Sequence, residues 1–447
     1  MDISLSITKI LKKEFNDILT KEAWLEMLIN GKLYDFEEKL YASLLSLYDK
    51  ISEVLIEYLS TQEIFLKKQK ELAKTKGFKK LSLRFTKLQL RTGTRLRYRS
   101  LYAKKVPTDY QGQRHLSHLY WNTQSKGSPT FSSLCTLLSV ISPSFVVSSM
   151  ILLFFGVRSN FHRIRQVALS MSTTCIEDRV NIQLKEKETL EGKRVIIGMD
   201  GGRSRTRLYD ATQPIEKKWQ CFETPWREPK MFVISTIDEN GKMDKKELPI
   251  YDCSFGDDET FHLLEKYLTK LEIHKAKEVQ FLADGAPWIW NRTNPMLLRL
   301  GVDKQRIIET LDYYHAAEHL HDLKKYMDKD KVAKNFPLLK EALWKGNIKQ
   351  IETILKQSMQ NLDLEDFTPF QYFVRNRTRI NYQDYTDRKL LCGSGIIESG
   401  IRRMINLRFK SPSAFWHPEN LEKLIFMRAI ALSGRWQIMM NNLTRSA

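Results

Sequence analysis

The chain has 447 residues, 42% hydrophobic and 28% charged, with a formal net charge of +19 at pH 7. That length calls for two or three domains, and the composition is that of a soluble globular protein. A positive surplus of this size favours a polyanionic partner, with nucleic acid ranked ahead of an anionic membrane.

Residues 1–72 carry a helical pattern. Phe36, Leu40, Leu44, Leu45, Leu47 and Tyr48 recur at three- and four-residue spacing, and Ile51, Val54, Leu55 and Leu59 continue the stripe. An oligomerisation helix and an ordinary helical hairpin both fit. Residues 73–128 change character, since no acidic residue occurs between Lys74 and Lys105. Leu88-Gln-Leu90 and Leu96-Arg-Tyr98 flank Arg91-Thr-Gly-Thr-Arg95, the pattern of a β-hairpin with Gly93 in its turn. One face of that hairpin is apolar and the other cationic. A solvated face normally mixes both signs, so Arg91, Arg95, Arg97 and Arg99 are phosphate-binding candidates.

Residues 129–190 read as short helices, one starting at Pro143 and ending at Gly156, one over 160–169, and a third capped by Thr173 or Thr174. The break between the last two is compatible with a helix-turn-helix DNA-binding element. Residues 134–156 are apolar enough to suggest a membrane span. Pro143 splits them, however, and Ser139, Ser142, Ser144, Ser148 and Ser149 recur along them, so a pair of buried helices with a Ser-Pro junction is expected. Met1-Asp-Ile-Ser-Leu5 has no signal-peptide pattern. The five cysteines, Cys135, Cys175, Cys221, Cys253 and Cys392, are odd in number, widely spaced and without a C-x-x-C. They argue for a reducing compartment and against a disulfide framework or zinc cluster.

From residue 193 strands and helices alternate. Lys193-Arg-Val-Ile-Ile-Gly-Met-Asp200 reads as a buried strand ending in an aspartate, before Gly201-Gly202. A hairpin strand is expected near 205–210, a third strand at 231–237, a helix from Asp257 or Asp258, and a fourth strand at 278–283 ending in Asp284-Gly285. A fifth strand at 306–311 leads to Asp312, which opens a helix. Residues 325–390 read as mostly helical, and 394–408 as a helix carrying Glu398. An aspartate at a strand end is a metal ligand, a general base or a turn-capping residue, and its partners decide which. An antiparallel trio followed by parallel strands is the layout of an RNase H-like mixed five-stranded sheet flanked by helices. There the first and fourth strands are neighbours, so Asp200 and Asp284 project from adjacent ends toward Glu398. Three converging carboxylates repel one another unless divalent cations neutralise them. Oxygen ligands with open positions suit Mg2+ or Mn2+, as two ions about 4 Å apart.

Several stretches together resemble bacterial insertion-sequence transposases of the DDE type. They are Ile197-Gly-Met-Asp-Gly-Gly-Arg203, Trp226-Arg-Glu-Pro-Lys230, Phe281-Leu-Ala-Asp-Gly-Ala-Pro-Trp288, Leu311-Asp-Tyr-Tyr-His-Ala-Ala-Glu-His-Leu320 and Gly393-Ser-Gly-Ile-Ile-Glu-Ser-Gly400, with Arg408-Phe-Lys410 and Trp416 downstream. The resemblance covers roughly residues 190–440. It implies that Asp200, Asp284 and Glu398 form a metal-binding catalytic triad. Asp312-x-x-His315 resembles the element that precedes an all-helical insertion in Mutator-like transposases, which gives Asp312 and His315 supporting roles. On this resemblance the core occupies 191–321 and 391–447, with the insertion at 322–390.

The implied activity is cutting double-stranded DNA at the element's terminal inverted repeats and joining the 3′-OH to target DNA. A homodimer or larger assembly would pair the ends, in the bacterial cytoplasm at the nucleoid and without a membrane partner. Arg203, Arg205, Arg402, Arg408 and Lys410 become candidates to hold DNA phosphates, and Arg402 stands four residues after Glu398. Trp219, Trp226, Trp288 and Trp290 are base-stacking or core residues, with core expected for two or more. Gly201-Gly202, lacking Cβ atoms, would let a metal-bound phosphate approach the strand end. Two other functions remain compatible: a catalytically inactive or domesticated DNA-binding protein derived from a transposase, and another RNase H-like nuclease.

Overall fold

The computed structural model describes residues 3–19, 22–209, 222–359, 364, 367–411 and 414–445. Trp219 and Cys221 fall outside these. The chain folds as two compact units, Met1–Asp178 with Met439–Ala447, and Arg179–Ile438.

The first unit begins with helices Ile3–Leu19, Glu22–Ile29, Leu33–Thr61 and Glu63–Thr75. The basic hairpin follows as β1 (Lys79–Gln89) and β2 (Arg95–Lys105), antiparallel from Lys79 opposite Lys105 to Gln89 opposite Arg95. Its strands are longer than the two short runs that announce it. Leu88, Leu96 and Tyr98 are buried, whereas Lys87, Arg95, Arg97 and Arg99 are exposed, as period-two alternation requires. Gly93 turns the chain at φ 88°, and a Cβ there would strike the backbone of Arg158. Gln69, fully buried, accepts from Leu101 N at 3.0 Å and Ser100 Oγ at 3.1 Å, tying the hairpin to helix Glu63–Thr75.

Residues 134–156 form the expected helix pair, Pro129–Ile141 and Phe145–Phe154, joined through Ser142-Pro143-Ser144. Ser142 and Ser148 hydroxyls meet at 2.7 Å. No helix among the described residues is long and apolar enough to cross a membrane. The expected helix-turn-helix is absent from the described residues at 160–180. A single helix, Phe161–Glu177, runs through the proposed break. The Ser/Thr run that suggested a cap instead bonds back along the helix, Ser172 Oγ to Ala168 O at 2.7 Å and Thr174 Oγ1 to Ser170 O at 3.3 Å, while Met171 is buried.

The second unit is mixed α/β. Its strands are β3 (Arg194–Gly201), β4 (Ser204–Arg205), β5 (Leu208–Tyr209), β6 (Phe222–Glu223), β7 (Trp226–Arg227), β8 (Lys230–Ile237), β9 (Ile250–Ser254), β10 (Glu278–Ala283) and β11 (Ile307–Leu311). A five-stranded sheet runs in the order β11-β10-β3-β8-β9. β3, β10 and β11 are parallel, and β8 and β9 are antiparallel to their neighbours. Val195, Ile197 and Met199 belong to one hydrophobic core with residues of helices Asp257–Lys270 and Pro287–Arg299, while Ile196 belongs to a second core that also holds Leu339, Leu343 and Phe373. Cover on both faces explains the unbroken apolar run in β3.

The stretch near 205–210 is not the second sheet strand. Its described residues make two-residue pairings, β4 with β7 and β5 with β6, and a single parallel bridge from Thr206 to Trp416. The antiparallel half is completed by β9, whose central Asp252 interrupts an apolar reading. Asp252 is fully buried and accepts from Cys253 N at 2.7 Å and Tyr267 Oη at 2.9 Å, with Arg179 Nη1 at 3.6 Å. The segment after β11 holds helices Lys329–Trp344, Ile348–Ser358, Thr368–Arg375 and Tyr382–Asp387, with no strand among its described residues.

Candidate metal centre

The three parallel strands are in register at one level, where β10 and β11 end and β3 runs on for two residues. Met199 pairs with Ala283, and Ala283 with Leu311. The next residue on each strand is an aspartate: Asp200, Asp284 and Asp312. Parallel strands point the same way, so all three leave the same edge of the sheet.

Local hydrogen bonds orient each one. Asp200 Oδ1 accepts from Gly201 N at 2.6 Å. Asp284 Oδ1 accepts from Ala286 N at 3.0 Å, and its carbonyl accepts from Trp290 Nε1 at 2.7 Å. Asp312 is fully buried and caps helix Tyr313–Asp322, with Oδ1 accepting from Tyr314 N at 3.0 Å, while its own N–H donates to Ala283 O at 2.8 Å. Asp312 is therefore both a cap and a member of the carboxylate row.

Glu398 comes from helix Gly395–Ile401, which continues into a π-helical turn over Arg402–Asn406. Ile397 of this helix sits against Gly198 of β3, where a Cβ would come 3.2 Å from that of Ile397. Gly400 faces the Tyr251 ring of β9, 2.7 Å from where its Cβ would stand. Small residues at both contacts bring the helix close to the sheet. Ser394 Oγ then lies 2.7 Å from Glu398 Oε1 and 2.7 Å from Asp312 Oδ2. His315 Nε2 is 3.8 Å from Asp312 Oδ2, and its Nδ1 is 3.6 Å from Glu318 Oε2.

Among the described residues, Asp312, His315 and Glu398 offer ligand atoms that all lie within 4.8 Å of one another. Asp200 and Asp284 stand outside that tight group but share its field. Burial first, and then the charges of Asp284 and Glu398, push the Asp200 carboxyl up to about 6, against the Gly201 N–H and His315, which pull it down. Two carboxylates and one imidazole this close together are a donor set that could hold a metal ion.

The glycines after Asp200 have a packing role. A Cβ on Gly201 would run into the Glu228 carboxylate, and one on Gly202 would press on Ile405 at 2.5 Å. Gly285 likewise lies under the Tyr372 ring, which stacks on His319 at 3.9 Å between centroids.

The basic candidates separate. Arg203 and Arg402 are exposed, as is Lys410. Arg205 lies over the half-exposed Trp226 at 5.0 Å. Arg408 is buried, 5.0 Å from the Trp416 ring centroid, and burial, then Arg428, lowers its pKa to about 10. It presents no cationic surface. Trp290 is buried and Trp288 partly so, in keeping with core roles. Ser394 ends no strand and belongs to no residue type that marks a metal site, and its one sequence signal is the spacing of four before Glu398, which places both on one helix face. Neither the models of known protein families nor the curated proteins match this sequence.

Proposed function

We propose that the protein is a metal-dependent DDE transposase with an RNase H-like core, acting on the ends of double-stranded DNA. The observation that carries this reading is the aligned row Asp200, Asp284 and Asp312 at one sheet edge, with Glu398 brought to it by Ser394. The strand order, an antiparallel half β9-β8-β3 joined to a parallel half β3-β10-β11, is compatible with such a core. So is the helical segment between Asp312 and Glu398.

In this reading Asp200, Asp284 and Glu398 would hold two Mg2+ or Mn2+ ions, with Asp312 and His315 in support. The chemistry such ions would supply there is activation of a water or 3′-hydroxyl and stabilisation of the leaving oxygen of a phosphodiester. The chain's part is placement. Gly201 N–H fixes the Asp200 carboxylate, the Ala286 N–H fixes Asp284, and Ser394 holds Glu398 toward the row.

The test uses the full chain with Mg2+ and linear DNA carrying the element's terminal inverted repeats. Asp200→Ala, Asp284→Ala and Glu398→Ala should each abolish cleavage and strand joining while leaving DNA binding intact. Undiminished cleavage by all three overturns the reading. Binding by the unmodified protein without metal-dependent cutting would select a non-catalytic DNA-binding protein. Cutting of branched or RNA–DNA hybrid substrates without joining would select another RNase H-like nuclease.

A further inference from the structure

The first unit contains a cleft of about 330 Å³ lined by Lys87, Gln89, Arg95, Lys126 and Arg163, with Gln113, Ser125 and Gln166. Four of these side chains are cations. No carboxylate is among the lining residues. The cleft joins four pieces of chain: the turn end of the hairpin, the segment at Gln113, the 125–126 loop and helix Phe161–Glu177.

Arg163 is its fixed element. Nε donates to Gln89 Oε1 at 2.8 Å, Nη1 to Gln166 Oε1 at 2.8 Å and Ser125 Oγ at 3.2 Å, and Nη2 to Ser125 O at 2.7 Å. Every one of these acceptors is neutral, so the guanidinium is held in place with its charge unmatched. Burial, and then the nearby charge of Arg95, lower its pKa. Gln89, which receives Arg163, is opposite Arg95 in the hairpin, and Lys87 is opposite Arg97. Like charges facing each other across a ladder are destabilising by themselves. The exposed face continues away from the cleft as Arg97 and Arg99, both stacked on Phe85 at 4.1 and 5.2 Å. Successive side chains on one strand face stand about 7 Å apart, so the cations form a stripe that ends in a recess.

We propose that this cleft is an anion site that seats one backbone phosphate of double-stranded DNA, with the Arg97–Arg99 stripe following the adjoining backbone. The assignment rests on the nucleic-acid substrate proposed above but uses none of the carboxylate centre. Arg163, its guanidinium fork anchored by Gln89, Gln166 and Ser125, supplies a fixed positive charge and one remaining Nη2 N–H, and Lys87, Arg95 and Lys126 close around the phosphate as the donors that bond it. Phosphate contacts carry no base preference, so the site positions DNA without reading its sequence.

The experiment measures DNA affinity of the full chain against salt concentration, without divalent metal. Lys87→Gln, Arg95→Gln and Lys126→Gln change exposed side chains, and each should reduce the salt slope by about one. Lys104→Gln and Lys105→Gln, at the far end of the hairpin about 30 Å away, serve as charge-matched controls and should leave the slope nearly unchanged. Arg163→Lys keeps the charge but loses the fork, and should weaken binding with little change of slope. Equal slopes for the cleft variants and the unmodified protein overturn this proposal while leaving the catalytic reading standing. Failure of the unmodified protein to bind DNA at all overturns both. Calorimetric titration with inorganic phosphate is the second arm: phosphate uptake in the cleft with an unchanged DNA slope would assign it to a free anion instead.

Discussion

Asp312 and Glu398 share one hydroxyl. Ser394 Oγ stands 2.7 Å from an oxygen of each, yet a serine hydroxyl has a single proton to donate. One contact can be a donated hydrogen bond. The other needs a proton on a carboxyl group or a positive charge beside it. The bridge therefore marks a point where carboxylates are brought closer than their own charges favour.

Ser394→Ala removes the bridge without removing a helix cap, because the Ser394 side chain makes no capping bond. The expected outcome is a 10–100-fold loss of divalent-ion affinity, of the kind seen when a group supporting a metal ligand is deleted, with an unchanged thermal midpoint. Titration calorimetry with Mg2+ or Mn2+ reads the first, and thermal unfolding the second. Unaltered affinity would remove Ser394 from the site.

Gly285→Ala forces a methyl group into the Tyr372 ring, directly beside Asp284. The overpacking should cost about 1–3 kcal/mol. In a Tyr372→Ala background, itself destabilised, Gly285→Ala should cost little more, since the obstructing ring is gone. Denaturant unfolding of the single and double variants measures the coupling, and simple additivity of the two losses would contradict the contact.

Arg179→Met leaves the fully buried Asp252 without its cation and also breaks the 2.8 Å pair with Glu422. Removing one partner of a buried pair costs about 3–5 kcal/mol. Adding Asp252→Asn should restore part of the stability. A fall smaller than that of an ordinary surface substitution would show that Asp252 is satisfied by Tyr267 and Cys253 alone.

His118 is buried between Thr86 Oγ1 at 2.9 Å and Thr123 Oγ1 at 2.8 Å, and burial, then His115 and Lys126, lower its pKa to about 3. The folded chain keeps it neutral, whereas the unfolded chain protonates it near 6.5. Its stabilisation is complete above about pH 6.5 and is lost as pH falls toward about 3, by up to about 1.4 kcal/mol per unit. Denaturation midpoints of the unmodified protein and His118→Gln, compared from pH 7 to pH 4, test this. Parallel pH profiles would be the contrary result.

Much of the second unit was legible because its signals are local. A β-branched run ending in Asp-Gly marks β3, and Glu278-Val-Gln-Phe-Leu-Ala283 before Asp284 marks β10 in the same way. The hairpin was legible for the same reason, with alternation on both sides of Gly93. β9 was not, because its Asp252 is satisfied by residues as distant as Arg179 and Tyr267. The run from Ser170 to Thr174 misled because Ser and Thr serve equally as caps and as back-bonding helix residues, and the choice depends on what Met171 packs against.

The sequence by itself determined which residues end strands, where the chain must turn, and that one hairpin face carries charge of a single sign. Hydrophobic period and backbone sterics act over a few residues, so they can be read there. Only the tertiary structure decided that Met199, Ala283 and Leu311 lie in one register, so that Asp312 joins Asp200 and Asp284 in a row. It alone set Ser394 between two carboxylates, put Arg408 in the interior and closed a cationic cleft around Arg163. Those outcomes depend on pairings between residues tens to hundreds of positions apart, where packing and charge act through space and no local pattern records the partner.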